Sequence, residues 1–139
     1  MIVLNAKNKI LGRLASEIAP KLLRSSEKII VVNANDAFIS GTKEDIMARF
    51  KERTHRKGKG NQLKNAKYPR YPDKMIKFAV RGMLPRNARG QAALKNLKVF
   101  VDAPEAYVKD MSKEVVEKPK LKGMNLNEIC VLLGAKLKV

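Results

Sequence analysis

The chain has no tryptophan, one cysteine and one histidine among its 139 residues. A single Cys130 excludes a disulfide framework and a cysteine-rich metal site. Within Ile129-Cys-Val-Leu-Leu133 it reads as a small buried hydrophobe. His55 has no second histidine with which to share a metal ion or a catalytic relay. Aromatic residues make up 5% of the chain, too few for the base-stacking platform of a sheet-type single-strand binder. No apolar run approaches the roughly 18 residues of a membrane span. The opening Met-Ile-Val-Leu-Asn lacks the charged start and long apolar core of a secretory signal, so the cytoplasm is the expected compartment.

Recognisable catalytic motifs are missing too. Ser40-Gly-Thr-Lys43 resembles only the end of a phosphate-binding loop, without its upstream glycine, and reads as a capped helix start. Gly58-Lys-Gly60 lacks the third glycine and the preceding strand of a dinucleotide fingerprint. The carboxylates are scattered, and no Ser–His–Asp set has a spacing argument behind it. Neither zinc-finger spacing, nor heptads, nor a clear helix-turn-helix is present for reading a DNA major groove. No cofactor, metal or small-molecule substrate is expected.

What the chain has in excess is positive charge. Thirty Lys and Arg stand against 13 Asp and Glu, a formal net charge of +17. A polyanionic partner follows, with nucleic acid the commonest. The distribution is uneven: residues 1–42 carry net +3, residues 43–98 net +13, and residues 99–139 net +1. A surface that serves solubility alone mixes its signs. A one-signed middle suits recognition of a folded RNA by shape and phosphate. Two other classes stay open on charge alone: a basic nucleic-acid-modifying enzyme and a DNA-compacting protein.

A chain of 139 residues fits one domain and buries enough surface for a real core. Ile2-Val-Leu-Asn-Ala6 reads as a buried strand. Leu11, Leu14, Ala15, Ile18, Ala19, Leu22 and Leu23 then recur at helical spacing, predicting a helix over about 11–24 that ends at Ser25-Ser26. Pro20 inside it predicts a kink near 16–20. Lys28-Ile-Ile-Val-Val-Asn33 is β-branched and apolar on both faces. A strand, a helix and a second buried strand predict a right-handed crossover and a parallel pair. After a short extended piece at 37–39, a helix opens with Ser40 or Thr42 as its N-cap. From Lys51 to Arg70 apolar periodicity stops, which predicts a basic excursion that orders on its partner. Tyr68 and Tyr71 beside Arg70 either stack on an unpaired base or pack against proline.

Met75, Ile76, Ala79, Val80 and Met83 share a helical face, with Lys74, Lys77 and Arg81 as a separate basic stripe. Leu84-Pro85 stops that helix, a second spans about 87–96, and Leu97–Val101 is a strand. Gly82, Pro85 and Gly90 are expected to bend the backbone. Residues 109–122 read as a surface loop and 126–133 as a helix capped by Gly134.

Three ordered motifs are together similar to one family. Asn5-Ala-Lys7 with Ile10-Leu-Gly-Arg-Leu-Ala-Ser16 resembles the opening strand, turn and helix of large-subunit ribosomal protein thirteen. Ile30-Val-Val-Asn-Ala34 followed by Ile39-Ser-Gly-Thr-Lys43 resembles its second strand and the next helix start. Ala79-Val-Arg-Gly-Met-Leu-Pro85, then Arg89-Gly90, Leu94 and Leu97-Lys-Val-Phe100, resembles its signature. The likeness covers residues 1–104, and Pro20 departs from the helix-compatible residue usual there. Lacking the N-terminal extension of bacterial members and the C-terminal helix of eukaryotic ones, the chain is most similar to archaeal members.

The resemblance implies an α/β fold, a three-layer α/β/α sandwich around a four-stranded, mainly parallel sheet. It implies a non-catalytic constituent of the large ribosomal subunit, bound to large-subunit rRNA among neighbouring ribosomal proteins and supporting assembly and translation. By motif position it implies rRNA contacts at Arg13, Lys43, Arg81, Arg86 and Arg89. Arg49, Arg53, His55, Arg56, Lys57, Lys59, Lys64, Lys67, Arg70, Lys74 and Lys77 are candidate contacts on charge. The role of 105–139 does not transfer.

Overall fold

The computed structural model describes residues 1–24, 27–56, 58–61, 63, 67–108 and 121–135. The expected helix end at Ser25-Ser26 and most of the expected 109–122 loop lie outside these residues. Strand β1 (Ile2–Asn5) leads into helix α1 (Leu11–Arg24), which returns to β2 (Ile29–Val32). A short strand β3 (Phe38–Ser40) precedes α2 (Lys43–His55). Helices α3 (Pro72–Met83) and α4 (Ala88–Lys95) then deliver the chain to β4 (Leu97–Val99). One turn, α5 (Glu105–Val108), strand β5 (Gly123–Asn125) and helix α6 (Leu126–Leu132) complete the described elements.

β2 lies between β1 and β4, and both pairings are parallel. Ile29 and Val31 face a large core made with Leu14 and Ile18 of α1, Ile76 and Val80 of α3, and Ile129 of α6. Ile30 and Val32 face the other way, against Val3, Phe100, Ala103 and Tyr107. All four residues of β2 are buried, which is why the strand reads as an unbroken apolar run. At the strand ends Asn33 Nδ2 donates to Asn5 Oδ1 at 2.9 Å, tying β1 to β2 beyond the ladder.

Among the described residues the parallel sheet has three strands, not the four expected. The extended piece at 38–40 leaves that sheet and pairs antiparallel with β5, Ile39 opposite Met124. Its backbone groups are thereby satisfied by a segment more than 80 residues on, which no local pattern near residue 38 announces.

Helix α1 runs unbroken through Pro20. Proline costs the carbonyl four residues earlier its partner. Here Ser16 and Pro20 are both exposed, which puts the released carbonyl on the solvent side of the helix, where solvent can satisfy it. Helix α2 also outlasts the end of apolar periodicity at Lys51 and continues to His55. Local interactions carry it. Thr42, not Ser40, caps the start by accepting from the Asp45 N–H at 3.4 Å. Asp45–Arg49 and Glu52–Arg56 pair one turn apart along its surface.

The expected bends also take a different form. Gly82 lies within α3, and a Cβ there would meet nothing within 4 Å. Gly90 is buried in the first turn of α4, where a Cβ would come 2.0 Å from the Pro85 carbonyl oxygen. Glycine is thus required for close approach rather than for bending, and Asn87 Oδ1 caps the same turn by accepting from Gly90 N–H at 2.9 Å. Met83 does not join the core face but is 46% exposed, because α3 ends there and Leu84 takes the buried place. Gly134, at φ +80°, ends α6 as expected.

Candidate nucleic-acid interface

Helix α3 buries Pro72, Met75, Ile76 and Val80 and turns its remaining surface outward. Lys74 and Arg81 are exposed and Lys77 is half-buried, so the expected basic stripe is present on a helix anchored in the core. Lys74 Nζ sits 5.4 Å from the Tyr71 ring centre, and the Arg81 guanidinium lies 4.8 Å from that of Phe78. Both contacts hold a cation over an aromatic face without neutralising it. Arg86 and Arg89 follow at the α3–α4 junction, both exposed. The Arg89 guanidinium donates to the Leu23 carbonyl at 3.1 Å, at the electronegative end of α1. Among the described residues, none of Lys77, Arg81, Arg86 and Arg89 has a carboxylate partner.

The cations of α2 are held differently. Arg49 is paired with Asp45, and Arg56 with Glu52 at 2.8 Å. Lys43 and Arg53 are exposed without ion pairs among the described residues. His55, placed by expectation in a loop, ends the helix with Nδ1 2.9 Å from the Lys51 carbonyl oxygen. Lys59, Lys67 and Arg70 are exposed on the connection to α3, and Arg13 on the first turn of α1. Lys57 and Lys64 lie outside the described residues.

Between the two helices is a groove of about 250 Å³ that sequence reasoning missed. Leu11 of α1, Phe50 and Arg53 of α2, Tyr68 and Pro69, and Met75, Phe78, Ala79 and Gly82 of α3 line it. Tyr68 packs edge-on against Phe78, ring centres 5.5 Å apart, and beside Pro69 in the groove wall. The available signal was a second apolar face of α3: Met75, Phe78, Ala79 and Gly82 recur at three and four, offset from the core face of Ile76 and Val80.

Elsewhere charge is used internally. Lys21 at 2.7 Å and Lys9 at 3.5 Å share Glu17. The hydrogen bond from Lys21, aided by the charge of Lys9, holds the Glu17 carboxyl below its usual range despite partial burial. Cys130 is fully buried, 3.9 Å from Met75 Sδ, and desolvation, with Asp73 adding repulsion, pushes its thiol up to about 12. Among the described residues there is no group of three or more His, Cys, Asp and Glu placed to hold a metal, and no helix is long and apolar enough to cross a membrane.

Fold and surface together define a class: an α/β protein that holds cations, unpaired with carboxylates among the described residues, on helices packed against a parallel sheet. Residues 1–106 match the family model described as ribosomal protein L13. The large ribosomal subunit protein uL13 of Methanosphaera stadtmanae is 42% identical, the match covering 96% of this chain and 97% of that protein. The proteins of the same name from Methanococcus maripaludis and Sulfurisphaera tokodaii are 40% and 39% identical, over 98% and 96% of this chain and 99% and 94% of theirs. The chain belongs to the ribosomal protein L13 family, in its archaeal form.

Proposed function

We propose that the chain is a non-enzymatic structural constituent of the large ribosomal subunit, in the cytoplasm, binding large-subunit rRNA among neighbouring ribosomal proteins. The observation that carries this is end-to-end similarity to proteins named for that subunit, joined to a cationic face on α3 and α4 without carboxylate partners among the described residues. Arg13, Lys43, Arg53, Lys77, Arg81 and Arg86 are the first candidates for phosphate contact, because no carboxylate competes for them among the described residues. Arg49 and Arg56 contact phosphate only after giving up Asp45 and Glu52. Arg89 both ties α4 to α1 and offers its remaining donors outward. His55, Lys59, Lys67, Arg70 and Lys74 extend the same surface, and Lys57 and Lys64, outside the described residues, stay candidates on charge. We read residues 1–139 as one domain. Its sheet is the middle of three layers, with α1, α3 and α4 on one face and the Phe100–Tyr107 segment on the other, as the two separate apolar clusters support.

Phosphate contacts release counterions, so each one steepens the loss of affinity with salt by about 0.7–0.9 in the log–log slope. Sedimentation of cell extract tests the reading. The chain is expected with large subunits at ordinary salt and released at high salt. A chain found free at ordinary salt overturns it.

A further inference from the structure

We infer that the groove between α2 and α3 receives the base of one unpaired rRNA nucleotide, with its phosphate held by Arg53 and Arg81. This deepens the proposed rRNA binding and rests on it. The groove offers two chemistries side by side. Its lining is apolar and aromatic, with Phe50, Tyr68 and Phe78, while Arg53 lines the same space and the Arg81 guanidinium lies over the Phe78 ring. Among the described residues no carboxylate lines it. A nucleotide has the matching pair of properties, a flat ring with apolar faces and an anionic phosphate attached to it. Unpaired bases of RNA are commonly taken up by stacking on aromatic rings and guanidinium planes.

Size agrees. About 250 Å³ falls below the roughly 300–1,000 Å³ of pockets that enclose drug-sized ligands, and suits a single ring system. The small residues Ala79 and Gly82 leave the space open, since a Cβ at Gly82 would meet no atom within 4 Å. The rival occupant is an apolar side chain of a neighbouring protein. It would cover the Arg53 guanidinium without supplying an anion, at a desolvation cost that a nucleotide offsets with its phosphate.

Gly82→Leu separates the possibilities, because it replaces a poor helix former in the body of α3 while filling the groove. In filter binding of large-subunit rRNA at fixed salt, Gly82→Leu and Tyr68→Leu are each expected to bind on the order of tenfold more weakly. Their salt slope should be unchanged, since stacking releases no counterions, and their melting temperatures at or above wild type for Gly82→Leu. Ultraviolet crosslinking in intact large subunits should yield an RNA adduct at Tyr68 or Phe78. Wild-type affinity in both variants, or a crosslink from these residues to a neighbouring protein instead of RNA, overturns the inference and leaves rRNA binding standing. Failure of the wild-type chain to bind rRNA at all overturns the functional reading and this one with it.

Discussion

Helices α2 and α3 lie on either side of one groove and both carry exposed cations, but they are held in place by different forces. α3 places four residues in the core, Pro72, Met75, Ile76 and Val80; α2 places one, Ile46. α2 makes up the difference locally, through the Thr42 cap and two ion pairs, and those pairs consume Arg49 and Arg56. α3 has no such need, so Lys77 and Arg81 stay unpaired among the described residues. A helix stabilised by burial can keep its surface charge for a partner. A helix stabilised by its own surface must spend some of that charge on itself.

Breaking the anchor should therefore cost most. Ile76→Ala removes a fully buried side chain and should lower unfolding free energy by about 2–5 kcal/mol. Thr42→Ala, which removes only the α2 cap, should cost about 1 kcal/mol. Urea titration of the two variants compares them directly, and equal losses would remove the distinction between the helices.

The two glycines of the α3–α4 hairpin should respond with opposite signs. Gly90→Ala drives a Cβ into the Pro85 carbonyl and should cost about 1–3 kcal/mol. Gly82→Ala enters open space and should gain up to about 1 kcal/mol from helix propensity. Thermal melts with matching signs would mean that close approach at Gly90 is not what the residue is for.

On rRNA affinity, Arg81→Gln with Arg86→Gln should make the log–log salt dependence shallower by about 1.4–1.8 in total. Arg49→Gln with Arg56→Gln should change it by less, since those guanidinium groups already face carboxylates. Equal changes would mean that Asp45 and Glu52 release their partners on binding.

The smallest effect is at Glu17, outside both helices. Its folded-state pKa lies below the ordinary value near 4.5, held there chiefly by the Lys21 hydrogen bond. Between the two values the unfolded chain binds more protons. The contribution is thus fully present above the ordinary pKa and is lost as pH falls through the folded one. At 39% exposure it should amount to at most about 0.5 kcal/mol, and Glu17→Gln should flatten that part of the pH–stability curve.

Much of this was legible in residue order alone. β1, α1, β2 and the α3 core face follow from short-range periodicity, which records burial because the same side chains must recur on one side of a helix or strand. The N-cap choice between Ser40 and Thr42 was narrowed but not decided, since both hydroxyls precede the same acidic turn. The end of α2 was misplaced because apolar spacing falls silent when ion pairs take over. β5 was missed because three residues, Gly-Met-Asn, carry no strand pattern of their own; β3 makes them a strand.

The sequence by itself determined the sign and location of the charge, the buried parallel strands and the family, because these depend on residue identity and short spacing. Tertiary structure decided which cations remain available and which are spoken for, why Gly90 rather than Gly82 must be glycine, and that Phe50, Tyr68 and Phe78 meet around one groove. Those outcomes depend on distances between segments far apart in the chain, which are set only when the helices pack against the sheet.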